Sequence, residues 1–117
     1  MRQGPIALTL GDPAGIGPEI IVKAWQTLRH DGSPFLVVGD FLSLASASAA
    51  GASIIRRVTS PAEGAKVFAD ALPVLDIPLR SPVVAGQPSA AAAPAIIRWI
   101  ETAVGLALSN VVSAVVT

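Results

Sequence analysis

The chain has 117 residues, of which 52% are hydrophobic and only 14% charged, with a mean hydropathy of +0.65, so it holds the apolar material of one modest core and less solvating surface than an average domain. Eight basic and eight acidic residues cancel without forming a Lys/Arg cluster, which excludes the electrostatic footprint of a nucleic-acid binder. The absence of cysteine excludes a disulfide framework, a zinc knuckle and a thiol nucleophile, and suits a cytoplasmic protein.

Pro5 to Leu10 is a short apolar run closed by Gly11-Asp12-Pro13, the pattern of a buried strand. Pro18 then opens a helix, where its missing N–H costs nothing, and Glu19 places negative charge in the positive first turn. Ile20, Ile21, Ala24, Trp25 and Leu28 form the expected apolar face, opposite Glu19, Lys23, Gln26 and Arg29. Asp31-Gly32-Ser33-Pro34 ends this helix, and Phe35 to Gly39 reads as a second buried strand. Asp40 is a candidate cap for an Ala/Ser-rich helix running to Gly51.

Ser53 to Thr59 is the expected third strand. Ser60-Pro61-Ala62-Glu63 has capping-box spacing and predicts a short helix over Pro61 to Ala71, weakened by Gly64. Leu72 to Ile77 follows as a fourth strand and Pro78 to Pro88 as a long connection. Ser89 is a candidate cap for a helix reaching about Ser109, in which Pro94 marks either a kink or the true start. Asn110 to Thr117 is a β-branched strand. The apolar stretch from Ala90 to Thr117 is broken by Pro94, Arg98 and Glu101, which argues against a membrane span.

Alternating strands and helices predict one α/β domain over residues 1–117 with no internal boundary, built on a largely parallel sheet covered by helices. Ligand sites of such sheets lie at the carboxyl ends of strands. That directs attention to Gly11-Asp12-Pro13-Ala14-Gly15-Ile16-Gly17-Pro18-Glu19, the loop after the first strand. Gly15 and Gly17 permit a positive φ or a close approach, Pro13 and Pro18 stiffen the turn, and the loop delivers backbone N–H groups to a helix N-terminus. A tight connection without a ligand fits the same pattern. Gly11, Gly15 and Gly17 do not have the Rossmann spacing, and no Gly-Lys-Ser/Thr follows as in a P-loop.

The stretch from Gly11 to Glu19 closely resembles the N-terminal signature of the 4-hydroxythreonine-4-phosphate dehydrogenases of vitamin B6 biosynthesis. A form lacking Pro13-Ala14 occurs in the related isocitrate and isopropylmalate dehydrogenases. Val37-Val38-Gly39-Asp40, Pro82 to Ser89 and Ser113 to Thr117 recur in the same order as in that family. The resemblance implies an incomplete isopropylmalate dehydrogenase-like fold, because the family is about three times as long. It implies a homodimer that uses NAD or NADP and a divalent metal such as Zn, Mg or Co to oxidise and decarboxylate 4-phosphohydroxy-L-threonine. A paralogue acting on phosphothreonate or phosphoerythronate, and a non-catalytic binding module, are the alternatives.

The family's three metal-binding histidines and its substrate-binding residues have no counterpart here, so the resemblance assigns this chain no catalytic or metal residue and implies that it is inactive alone. It places Gly11, Asp12, Gly15 and Gly17 on the floor of the cleft, near cofactor or substrate. His30, the only histidine, reads as a helix-end residue. Asp12 is either a turn residue or a ligand contact, and Asp40 reads as a cap more than as a ribose ligand. Trp25 and Trp99 read as core or interface anchors. Arg56 and Arg57, adjacent on a strand, point to opposite faces and make a poor anion clamp.

Overall fold

The computed structural model describes residues 4–80, 86 and 90–117. Its sheet has five parallel strands, β1 (Ile6–Thr9), β2 (Phe35–Gly39), β3 (Ile55–Arg57), β4 (Leu72–Asp76) and β5 (Ala114–Val116), in the spatial order β3-β4-β2-β1-β5. Between them run helices α1 (Gly17–Leu28), α2 (Phe41–Ala45), α3 (Pro61–Val67) and α4 (Ala93–Leu108).

Position in the sheet explains strand composition. β2 lies at the centre and all five of its residues are buried, as a doubly covered parallel strand requires. The edge strands β3 and β5 have three residues each and expose most of them. Pro73 is tolerated in the interior strand β4 because pairing with β2 begins one residue later, at Val37 and Val74.

Right-handed crossovers assign α1 and α2 to one face of the sheet and α3 and α4 to the other. Consistent with this, α1 touches α2, while Gly64 of α3 sits against Leu36 and Pro73, which the pairing register puts on one face. Gly64 is therefore buried at a close helix–sheet approach and is more than a weak point in α3. Each large face carries a buried tryptophan that also bonds: Trp25 Nε1 donates to the Phe68 carbonyl at 2.7 Å and Trp99 Nε1 to the Ile77 carbonyl at 2.9 Å. Both are core anchors, with their one polar atom satisfied.

Several elements depart from the sequence expectation. α1 buries Pro18, Ile21, Val22 and Trp25, whereas Ile20 and Leu28 are exposed; the apolar stripe is rotated toward Val22 because Trp25 fixes the helix against Phe68. The helix expected from Asp40 to Gly51 stops at Ala45. Its serines bond locally instead, Ser46 Oγ donating to the Leu42 carbonyl and Ser48 Oγ accepting the Ala50 amide, the competition that makes serine a poor helix interior. Gly51, at φ +59°, opens a 3-10 turn through Ile54 that takes the first part of the expected third strand.

At α3, Ser60 Oγ accepts the Glu63 amide as the capping box predicts, but the Glu63 carboxylate reaches back to the amide and hydroxyl of Thr59, and the helix ends at Val67. Pro94 lies in the first turn of α4 and so marks its start. The proposed cap Ser89 and most of the preceding connection lie outside the described residues. The final strand begins only at Ala114, after Asn110 at φ +59°.

Because Pro94 does not interrupt it, Ala90–Leu108 is long and apolar enough to cross a membrane by length and composition, with mean hydropathy 1.4. Its Ala95, Trp99 and Ala103 are nevertheless buried against the sheet, giving this helix a core role.

Candidate functional site at the carboxyl end of the first strand

The glycine loop is built by short-range bonds. Leu10 extends the pairing of β1 by donating its amide to the Val38 carbonyl at 3.1 Å. Gly11 then turns the chain at φ +74°, a conformation that costs other L-residues about 1–2 kcal/mol. The Asp12 carboxylate accepts the Ala14 amide at 2.9 Å and its carbonyl accepts the Gly15 amide at 3.0 Å. Asp12 is thus a turn-forming residue, the first of its two expected roles.

Pro13 and Ala14 pack inward, while Asp12, Gly15 and Ile16 face outward, Ile16 with 70% of its surface exposed. Gly17 opens α1 with its Cα against the Leu10 carbonyl, so that a Cβ would lie 2.8 Å from that oxygen. The four expected site residues are therefore brought together in one turn. The positive φ expected at Gly15 or Gly17 falls instead on Gly11, where the chain leaves β1; Gly17 makes the expected close approach, and Gly15 has no positive φ and only ordinary contacts. Ile16, the N-cap of α1, makes no side-chain bond to the first turn.

A second bond network closes the carboxyl ends of β2 and β4. Asp40, 5% exposed, caps α2 through the Ser43 amide and hydroxyl at 2.8 and 2.6 Å and also accepts the Leu79 amide at 3.2 Å. Asp76 accepts the Phe41 amide at 2.8 Å and pairs with Arg57 Nε at 3.0 Å. The Ile77 amide donates to the Gly39 carbonyl at 2.8 Å.

In this strand order β2 and β4 send their chains to opposite faces, creating a topological crevice, and these bonds stitch it shut. Asp40 is accordingly a structural cap, with its oxygens engaged by the protein. The glycine loop itself lies at the carboxyl end of β1, which pairs with β2 and β5. There the Gly86 amide reaches the Ala14 carbonyl at 2.7 Å, joining the long connection after β4 to the loop.

Sequence reasoning missed two of these features. Arg57 lies over the Phe41 ring at 3.8 Å and pairs with Asp76, an arrangement signalled only by an acid ending an apolar strand. The Gly86–Ala14 bond had no local signal. His30 is exposed at the far end of α1, away from the loop. Among the described residues no group of three His, Cys, Asp or Glu side chains could hold a metal ion. A groove of about 320 Å³, lined by Gly4, Pro5, Pro61, Ala65, Asn110 and Val111 among others, shares no residue with the glycine loop.

A parallel sheet with helices between its strands and a stiffened glycine turn at a carboxyl strand end defines the open α/β class. No family model matches the chain. It is 61% identical over all 117 residues to a protein of Caulobacter vibrioides named 4-hydroxythreonine-4-phosphate dehydrogenase, covering 34% of it. Its structure is similar to that of a 4-hydroxythreonine-4-phosphate dehydrogenase from Burkholderia phymatum, with TM-score 0.83 and 31% identity over 98% of this chain and 36% of the other. A terephthalate 1,2-cis-dihydrodiol dehydrogenase from Burkholderia xenovorans matches with TM-score 0.72 and 29% identity over 96% of this chain and 32% of the other. The chain spans about a third of the length of these proteins. It is homologous along its whole length to a portion of the 4-hydroxythreonine-4-phosphate dehydrogenases, and its structure is a partial isopropylmalate dehydrogenase-like fold.

Proposed function

We propose that the chain provides the N-terminal third of an enzyme that oxidises and decarboxylates 4-phosphohydroxy-L-threonine with NAD or NADP, in the route to pyridoxal phosphate. The observation that carries this reading is the 61% identity extending without a break over all 117 residues. On this reading the full enzyme is a cytoplasmic homodimer, and a divalent metal held by residues outside this chain would supply Lewis-acid chemistry.

The described residues do not fit the role of metal holder, since their only histidine is remote from the loop and no three-ligand group is present among them. The part played by this chain is positional. Gly11, Asp12, Gly15 and Gly17 form the cleft floor, a rigid turn whose small residues let cofactor or substrate approach backbone at the start of α1. Asp12 holds the turn through the Ala14 amide, and the Gly86–Ala14 bond keeps the neighbouring connection against it.

The dihydrodiol dehydrogenase neighbour favours a second reading, because a similar scaffold carries a name for a different alcohol substrate. A paralogous dehydrogenase of phosphothreonate or phosphoerythronate falls under it. The first reading is tested in a hybrid in which residues 1–117 replace the homologous third of the Caulobacter vibrioides relative: kcat/KM for 4-phosphohydroxy-L-threonine close to the parent's supports it, and a folded hybrid without turnover overturns it.

A further inference from the structure

We propose that the peptide bond between Asp31 and Gly32 is a site of spontaneous covalent modification, isomerisation through a succinimide, and that the end of α1 sets its rate. This is the only Asp-Gly or Asn-Gly pair in the chain. A glycine amide has no Cβ beside it to shield the nitrogen from a neighbouring carboxyl group. In the reaction the Gly32 nitrogen attacks the Asp31 Cγ, its proton and the carboxyl hydroxyl leave as water, and a cyclic imide forms. Water then opens the ring at either carbonyl. Opening at the Asp31 main-chain carbonyl leaves Gly32 attached through Cγ, an isoaspartyl link with an extra methylene in the backbone. The water released in the first step is returned in the second, and no oxidant, reductant or cofactor is needed.

The fold treats the two reacting groups differently. Asp31 is exposed, and its carboxylate is unpaired among the described residues. The Gly32 amide instead donates to the Leu28 carbonyl at 2.8 Å, and the Asp31 amide donates to the same oxygen at 3.2 Å, a shared acceptor common at helix ends. A Cβ on Gly32 would lie 2.8 Å from the Leu28 Cβ, so the turn is packed onto the last residue of α1. While the Leu28 bond holds, the Gly32 nitrogen keeps its proton and its direction. The electrophile is free and the nucleophile is held.

Arg29, the C-cap of α1, fastens this helix end. Its amide donates to the Trp25 carbonyl at 2.9 Å, its Nε donates to the Ala69 carbonyl at 2.8 Å, and its guanidinium lies 4.5 Å from the centre of the buried Trp25 ring. Isomerisation therefore waits for the last turn of α1 to open, a local event that needs less free energy than global unfolding. The product reaches the centre of the sheet. Phe35 opens β2 and the Pro34 carbonyl accepts the Ile6 amide at 3.0 Å, so a methylene added at Asp31 displaces the entry to the central strand.

The test follows isoaspartate in the 117-residue chain by methyl transfer from S-adenosylmethionine with an isoaspartyl methyltransferase, and locates it by peptide mapping. The folded chain, the same chain in urea and Arg29→Ala are aged at one temperature and pH, with Asp31→Glu as the blank. Isoaspartate at Asp31 that forms about ten-fold or more slowly in the folded chain than in urea supports the proposal, together with a several-fold faster rate in an Arg29→Ala chain that still unfolds cooperatively. Equal rates in the folded chain and in urea overturn it, as does an unchanged rate in Arg29→Ala or a signal that persists in Asp31→Glu. Should Arg29→Ala not fold, hydrogen exchange of the Gly32 amide in the unaltered chain supplies the second measurement. Protection of that amide matching the slowing of isomerisation supports the proposal, and an unprotected amide overturns it.

Discussion

The Leu10 carbonyl oxygen occupies the space beside the Cα of Gly17, so that a Cβ at Gly17 would come within 2.8 Å of a backbone atom. The contact ties the end of β1 to the start of α1 and sets the width of the loop between them. Gly17→Ala must push the helix away from the strand, at a cost of about 1–3 kcal/mol. Gly105→Ala, in a helix interior with open space, stabilises by about 0.5–1 kcal/mol. Urea denaturation of the two variants should shift the midpoint in opposite directions; a neutral Gly17→Ala would remove the steric argument.

Gly11 depends on conformation where Gly17 depends on space. Its φ is +74° and a Cβ placed on it would meet no atom within 4 Å, so Gly11→Ala should cost about 1–2 kcal/mol and Gly11→Asn less, since Asn tolerates the left-handed region. Equal midpoints for Ala and Asn would contradict this.

The two indoles make a paired test. Trp25→Phe leaves the buried Phe68 carbonyl without its donor, and should destabilise by about 1–3 kcal/mol. Trp99→Phe should cost less, because its bond to Ile77 is only partly buried. A thermal unfolding series in which Trp99→Phe is the more damaging would reverse the assignment.

Asp40 is predicted to be structural. Asp40→Ala removes the cap of α2 and the acceptor for Leu79, and should destabilise by about 1–2 kcal/mol. In the hybrid enzyme Asp40→Asn, which keeps acceptor oxygen at the cap, should leave KM for NAD and NADP unchanged. A selective rise in cofactor KM would instead make Asp40 a ribose ligand.

Much of the fold was legible because local signals agreed with tertiary context. Phe35 to Gly39 is apolar at every position and became the central strand; Ser60 and Glu63 announced a cap that is present. Failures occurred where local and distant forces compete. The residues after Ala45 have helical composition, yet their serine hydroxyls take backbone partners within a few residues. Ile20 and Val22 are equally apolar, and only the anchoring of Trp25 on Phe68, 43 residues away, decides which is buried. At the site, the turn was visible in Gly11-Asp12-Pro13, but its contact with Gly86 joins segments far apart in the chain and leaves no periodic mark.

The most direct test of the account is cofactor reduction by the isolated chain and by the hybrid carrying residues 1–117 in the Caulobacter vibrioides relative, each given 4-phosphohydroxy-L-threonine, NAD or NADP, and Zn²⁺, Mg²⁺ or Co²⁺. No turnover is expected from the chain alone, and metal-dependent turnover from the hybrid. Turnover by the chain alone, or a folded hybrid that reduces neither cofactor, would contradict it.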